Sequence, residues 1–261
     1  MPENRPASSN RAVVVVAAVI GVLVVVLGLV LAQTLTSDDD PVAPAAESPP
    51  QTVATPAAGE CEEPPPVPES PEQYDEVPDA SLAEDAVWIA RVITNCGEIV
   101  MELAGDKAPQ TVSSFLFLAE ENFWDDSPCH RLVTEGIFVL QCGDPTGTGS
   151  GGPTYSYTSE PASVAALGPA PDGASAIYPR GSVAMAQGGQ PPTIGSQFFI
   201  AFQDTQLPPD YTLVGTITMG IEVIDAVAAA GNDGSFEPSP GGGAPVLPIT
   251  LTTVTVAAPV A

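Results

Sequence analysis

The segment CHRLVTEGIFVLQCGD, residues 129–144, brings together the residue types in this chain that are best suited to chemistry. It contains two of the four cysteines, the only histidine, and one of the six Lys and Arg residues. Three kinds of chemistry fit these types: metal binding, thiol chemistry, and hydrogen bonding by a permanently charged arginine. Spacing and neighbouring elements discriminate between the three.

Metal, thiol and dinucleotide chemistry fit the spacing poorly. Adjacent side chains of a strand point to opposite faces, so a strand does not let Cys129 and His130 share one metal ion. The chain has no CxxC pair, and a lone histidine without a Ser or Cys partner is a poor indication of a hydrolase. GTGSGG, residues 147–152, has GxGxxG spacing, but Pro153 and a polar stretch follow it instead of a helix, so we interpret it as a flexible loop. We expect neither a metal ion nor a cofactor.

The charge balance excludes one class of partner. The chain has 32 Asp and Glu residues against 6 Lys and Arg residues, a formal net charge of -26. Such a chain repels the phosphate backbone, so we do not expect nucleic acid as a partner. The 30 prolines and 24 glycines are unevenly spread, which favours one folded domain with appendages.

The N-terminal region predicts a membrane anchor. Residues 12–32 are uniformly apolar and long enough to span a bilayer as a helix, which needs about 20 such residues. Arg5 and Arg11 precede the span and an acidic stretch follows it, so residues 1–11 are expected in the cytoplasm and the rest outside. A cleaved signal peptide with a site near Val30 and Ala32 is the alternative, although signal peptides usually have shorter apolar cores.

The remainder divides into a linker and a domain. Residues 33–85 are rich in Pro, Ala and acidic residues and contain no Lys or Arg, which predicts a disordered linker. Residues 86–261 show short runs typical of strands, including a hairpin of VWIARVIT and EIVMEL across the turn NCG. Helices are predicted from Pro109 through SSFLFLAEEN and over IEVIDAVAAA. We therefore expect a mainly β domain, a closed or nearly closed antiparallel barrel capped by two α-helices.

Five motifs, in order along the chain, resemble those of the cyclophilin-type peptidyl-prolyl cis-trans isomerases, in particular bacterial, membrane-tethered members. The likeness covers about residues 86–257, and the motifs are HRLVTEGIFVLQCGD, GTGSGG, SVAMAQGG, GSQFFIAF and YTLVGTI. It implies a closed eight-stranded antiparallel barrel with two helices and a substrate groove on its outer face.

The resemblance also implies an activity, rotation about the X-Pro peptide bond. The barrier to that rotation is about 18 to 20 kcal/mol, and lowering it requires no nucleophile, metal or cofactor. By similarity Arg131 is the donor to the prolyl amide and Gln141 holds its guanidinium in place. Phe198 is expected in the core, opposite Phe199. The substrate-binding residues implied by similarity are Phe138, Val139, Phe199, Leu207 and Tyr211 for the proline ring, and Ala186, Gln187 and Gln197 for the peptide backbone.

The hairpin between Arg131 and Gln141 carries two residues more than the best-known members of the family, which leaves the register of residues 132–137 open. Four cysteines allow three complete pairings, and outside the membrane thiols tend to be oxidised. We expect Cys129 with Cys142, bracing this hairpin, and Cys61 with Cys96, clipping the linker to the first hairpin. If Arg131 and Gln141 share a face, strict alternation separates Cys129 from Cys142, so the first pair needs a bulge.

The sequence thus predicts a monomeric, membrane-anchored isomerase that acts outside the cytoplasm on proline-containing segments of exported proteins. One alternative is a cyclophilin-like binding or chaperone module that captures such segments without catalysis. Another is an envelope structural protein whose acidic linker is the working part.

Overall fold

The computed structural model describes residues 60–257. The predicted cytoplasmic tail, the predicted span at 12–32 and the first part of the predicted linker lie outside these residues. Among the helices of residues 60–257, none has the length and apolar character needed to cross a bilayer.

The described residues form two α-helices, two short 3-10 helices and eleven strands. The α-helices are α1 (Pro109–Glu120) and α2 (Ile221–Ala230), and the 3-10 helices are Ala80–Ala83 and Pro161–Val164. The strands are β1 (Val87–Thr94), β2 (Gly97–Ala104), β3 (Ser127–Pro128), β4 (Arg131–Val133), β5 (Val139–Cys142), β6 (Ala176–Tyr178), β7 (Ser182–Met185), β8 (Phe198–Ala201), β9 (Thr205–Leu207), β10 (Leu213–Met219) and β11 (Thr250–Ala257).

Nine strands form one curled antiparallel sheet in the order β3-β11-β1-β2-β10-β7-β8-β5-β4, and β6 and β9 form a separate pair. The mainly β, cyclophilin-like fold with two helices is as predicted, but the large sheet has nine strands where eight were expected. The difference arises because the segment that joins the two ends of the sheet is interrupted at Cys129 and His130 and counts as two strands, β3 and β4. No ladder joins β3 to β4 within residues 60–257, so closure into a barrel stays a prediction.

The predicted first hairpin and first helix are both present. Strands β1 and β2 pair from Val87 with Ala104 to Thr94 with Gly97. Helix α1 begins at Pro109, and its two free backbone N–H groups at Gln110 and Thr111 donate to the carboxylate of Glu160 at 3.0 and 2.8 Å. A distant carboxylate thus satisfies the helix N-terminus, which lacks a capping side chain of its own.

The main core lies between the sheet and α1. The rings of Phe115 and Trp124 lie 4.5 Å apart, and the ring of Phe198 lies 6.2 and 6.1 Å from them. All three side chains are fully buried. A second, smaller apolar cluster forms around Tyr178 and Phe199 and contributes the floor of the cavity described below.

The structure corrects the predicted boundary between linker and domain. Residues from 60 onward pack against the domain: Glu62 N donates to Asn95 O at 2.8 Å, and the Tyr74 ring lies edge-on to Phe117 at 5.0 Å. The 3-10 helix Ala80–Ala83 buries Ala83 against α1. Averaged composition concealed these contacts, because a single cysteine and a single tyrosine anchor an otherwise polar, proline-rich segment.

Candidate active site

Arg131 and Gln141 face each other directly across the β4–β5 ladder. Arg131 Nη1 donates to Gln141 Oε1 at 3.2 Å, and Gln141 Nε2 donates to Gln197 Oε1 at 2.9 Å. Gln197 Nε2 in turn donates to the carbonyl oxygens of Gly149 and Gly151 at 3.0 and 2.9 Å. This chain of hydrogen bonds fixes the guanidinium relative to the sheet.

The arginine lies at the wall of a cavity of about 510 Å³. Seven further predicted site residues line this cavity: Val139, Gln141, Ala186, Gln187, Phe199, Leu207 and Tyr211. Sequence reasoning missed six other lining residues, which are His130, Ile137, Thr148, Gly149, Phe236 and Pro240.

The apolar part of the cavity is built on β5 and β8. Phe199 is 5% exposed, and its ring lies 5.6 Å from that of Tyr211 in an edge-on arrangement. Because successive side chains alternate along β8, Phe198 points into the main core as predicted. The arrangement offers an apolar wall for a ring and a cationic donor beside it.

The structure places Phe138 outside this cavity. Its ring packs edge-on against Phe202 with centroids 6.0 Å apart, at the border of the main core. Since Val139 faces the cavity, alternation turns Phe138 to the other side and brings Ile137 to the cavity wall. Ile137 therefore lies at the cavity wall where similarity had suggested Phe138.

Gln197 lines an adjoining cavity of about 570 Å³, not the one that contains Arg131. The two cavities share Gln141, Gly149, Ala186 and Gln187, so they form one continuous groove. Pro71 and Gln73 line the second cavity, so part of the predicted linker forms a wall of the groove.

The glycine-rich loop at residues 147–152 is held by a buried carboxylate. Asp144 is fully buried and accepts hydrogen bonds from Thr146 N at 2.7 Å and Gly151 N at 3.0 Å. Burial opposes ionisation of Asp144, but hydrogen bonds from Thr146, Gly151 and Gly149 outweigh it and lower its pKa. The loop interpreted as flexible is therefore tied to the site, where its carbonyl groups position Gln197.

Two further N–H groups of Arg131 donate to backbone carbonyl groups of the segment between α2 and β11. Nε donates to Gly241 O at 2.9 Å and Nη2 donates to Pro240 O at 2.8 Å. Burial lowers the pKa of the guanidinium, and Tyr211 and the Glu237 carboxylate oppose that shift. No sequence signal pointed to these carbonyl groups, because they belong to a Gly/Pro-rich segment without periodicity.

Both predicted cysteine pairs are present as disulfides, Cys61 with Cys96 and Cys129 with Cys142. The expected obstacle to the second pair is removed by the interruption of the sheet at Cys129 and His130, which breaks strict alternation. Within residues 60–257, no three His, Cys, Asp or Glu residues are grouped so that they could hold a metal ion.

His130 is buried beside Arg131, and neither of its ring nitrogens has a hydrogen-bond partner within the described part of the chain. Burial lowers its pKa; the Asp144 charge opposes this shift and the Arg131 charge adds to it. The unfolded chain therefore binds a proton at a pH where the folded state does not, so stability falls as the pH drops below about 6.5.

We expect His130→Gln to flatten this pH dependence of stability. The contribution of His130 has a slope of at most about 1.4 kcal/mol per pH unit for one proton. The free energy of unfolding is measured with urea for wild type and variant between about pH 7.5 and 5.5. The contribution of His130 is the difference between the two slopes of this free energy against pH, because the effects of the carboxylates are the same in both proteins and cancel. Parallel curves for the two proteins would contradict the expectation.

The fold and the site together define a class of protein. The fold is a curled antiparallel sheet with two helices, and the site is an arginine–glutamine pair beside an apolar groove that is suited to an extended peptide. A family model described as "Cyclophilin type peptidyl-prolyl cis-trans isomerase/CLD" matches residues 89–256. The chain belongs to this cyclophilin family.

Individual relatives agree with the family match. A "Probable peptidyl-prolyl cis-trans isomerase B" of Mycobacterium tuberculosis is 42% identical over 166 residues, which cover 62% of this chain and 52% of the relative. A "Peptidyl-prolyl cis-trans isomerase" of Helicobacter pylori is 38% identical over 155 residues, covering 58% of this chain and 86% of the relative. The match thus spans only about half of the mycobacterial protein.

Solved structures show the same fold. A Cryptosporidium parvum cyclophilin type peptidyl-prolyl cis-trans isomerase matches with a TM-score of 0.51 and 26% identity, covering 66% of this chain and 98% of that chain. The structure of the same protein in the presence of the dipeptide Ala-Pro matches with a TM-score of 0.50 and 26% identity, covering 65% and 99%.

Proposed function

We propose that this chain catalyses cis-trans isomerisation of X-Pro peptide bonds in exported proteins. The observation that carries the proposal is the Arg131 guanidinium, held by Gln141 at the wall of an apolar cavity. Family membership, the names of the relatives and the similar Cryptosporidium structure solved in the presence of Ala-Pro support it.

The proposed mechanism requires only binding and one directed donor. The proline ring packs against the wall formed by Val139, Phe199 and Leu207, and the adjoining cavity receives the preceding peptide. As the bond twists, the prolyl nitrogen loses conjugation and accepts a hydrogen bond from Arg131. That hydrogen bond exists only in the twisted state, so it lowers the barrier. A second N–H of the guanidinium binds the carbonyl group of the prolyl residue before the bond twists, and this contact contributes to binding.

The proposed location is the outer face of a membrane, with residues 12–32 as the anchor. The length and apolar character of that segment support the proposal. So do the two disulfides, because disulfides persist in oxidising compartments and are rare in the cytosol. The clients there would be segments that contain proline, whose isomerisation otherwise takes tens of seconds.

The decisive experiment compares wild type with Arg131→Ala. We expect catalysed exchange of an Ala-Xaa-Pro-Phe peptide, followed by NMR, to fall at least about tenfold in the variant, a loss of at least about 1.4 kcal/mol of transition-state stabilisation. The full chain in mild detergent is used for both proteins.

Arg91→Ala is the matched control, because Arg91 lies on β1 in an exposed ion pair with Glu98 and does not line the groove. Its exchange rate is expected to equal that of wild type. A folded wild-type protein that binds the peptide but does not accelerate exchange would establish the non-catalytic binding module instead.

A further inference from the structure

The segment between α2 and β11 covers the donor that the proposed reaction needs. We refer to residues 233–244 as the covering segment. Its Phe236 and Pro240 line the cavity of Arg131. Its carbonyl groups at Pro240 and Gly241 accept hydrogen bonds from Nη2 and Nε of Arg131, at 2.8 and 2.9 Å.

The covering segment has a defined internal structure. The Asp233 carboxylate accepts hydrogen bonds from Ser235 N and Ala244 N, both at 2.9 Å, and so ties the two ends of the segment together. In the middle, the Glu237 carboxylate accepts from Gly242 N at 2.6 Å. The segment therefore presents its carbonyl groups in a fixed arrangement.

The covering segment is also docked onto the strand that carries Arg131. Leu132 N donates to Gly243 O at 2.8 Å, and Gly243 N donates to Leu132 O at 3.1 Å, which together form an antiparallel bridge. This bridge lies one residue from Arg131. The position of the carbonyl groups on the guanidinium is thus set by β4 itself.

This arrangement uses three of the five N–H donors of the arginine. The single N–H of Nε is directed to Gly241, one N–H of Nη1 to Gln141 and one N–H of Nη2 to Pro240. A backbone carbonyl beside a prolyl ring is also what a proline-containing peptide would offer to the same guanidinium. The Glu237 carboxylate adds attraction between the segment and Arg131.

We propose that the covering segment is a built-in competitor of the peptide substrate, which has to leave Arg131 before the substrate reaches it. The proposal rests on the proposed function in one respect, that Arg131 is the group the substrate needs. Molecules with the segment seated are not competent to bind, so the apparent affinity for peptide is reduced by the fraction seated. The segment thereby regulates access to the groove.

Gly242→Ala tests the proposal without changing any residue that lines the groove. Gly242 has a φ of 77°, and a Cβ there would collide with the carbonyl oxygen of Leu132. The alanine therefore cannot occupy the docked position, and the covering segment has to lift from β4. The matched control is Gly173→Ala, where φ is 67° and no atom lies within 4 Å of the added Cβ.

In full-chain protein we expect Gly242→Ala to raise kcat/KM for the Ala-Xaa-Pro-Phe peptide at least about threefold, through a lower KM with unchanged kcat. Gly173→Ala is expected to match wild type. Asp233→Ala, which removes the tie between the ends of the segment, serves as a second variant and is expected to change kcat/KM in the same direction.

The outcomes separate this proposal from the proposed function. If wild type catalyses exchange and neither Gly242→Ala nor Asp233→Ala lowers KM, the competitor is refuted while the isomerase stands. If wild type does not catalyse exchange, the isomerase fails, and NMR titration with the same peptide decides the competitor: tighter binding by the variants supports it, and equal binding overturns it.

Discussion

Loss of both disulfides is expected to lower the free energy of unfolding by about 7 kcal/mol. The chain-entropy relation gives about 3 kcal/mol for Cys129 with Cys142 and about 4 kcal/mol for Cys61 with Cys96, at separations of 13 and 35 residues. Domains of this kind are stable by about 5 to 15 kcal/mol, so the reduced protein should lie close to its unfolding threshold.

Urea unfolding followed by tryptophan fluorescence measures this effect, since Trp124 lies in the main core. The oxidised protein is compared with a Cys-to-Ala variant of each pair and with the variant that lacks all four cysteines. Only removal of Cys129 and Cys142 is expected to impair peptide exchange as well, because that disulfide spans the hairpin of Arg131 and Gln141. An unchanged urea midpoint in the variant that lacks all four cysteines would contradict the prediction.

Much of the fold could be predicted because its signals are local. Alternation in VWIARVIT and EIVMEL identified the β1–β2 hairpin, and Pro109 marked the start of α1. The packing of residues 60–85 against the domain could not be predicted in the same way. It depends on single long-range contacts, such as that between Tyr74 and Phe117, which leave no periodic pattern in the sequence.

The sequence likewise indicated some parts of the candidate site and not others. The family resemblance placed Arg131 and Gln141 together, and the structure supplies the register of the hairpin that joins their strands. Similarity suggested both Phe138 and Val139 for the cavity, but neighbouring side chains of an extended segment point to opposite sides, so only Val139 faces it. The carbonyl groups of Pro240 and Gly241 could not be anticipated, since backbone atoms of an irregular segment carry no side-chain signal.

Phe198→Ala is expected to lower the free energy of unfolding by about 3 to 5 kcal/mol, the usual loss for a fully buried phenylalanine. The ring is 1% exposed and packs against the rings of Phe115 and Trp124, so its removal leaves a cavity beside these two aromatic side chains. Its effect on KM for the peptide, measured where the variant is still folded, is expected to be small, because Phe198 does not line the groove.

Phe199→Ala is the matched comparison, since the two residues are neighbours on β8 and lose the same atoms. Phe199 is also buried, at 5% exposure, but one side of its ring already faces the cavity of Arg131. Fewer packing contacts are lost, so the destabilisation should be smaller, whereas KM for the peptide should rise because the proline ring loses its wall. Equal losses of stability and equal changes in KM for the two variants would contradict the assignment of Phe198 to the core and of Phe199 to the substrate site.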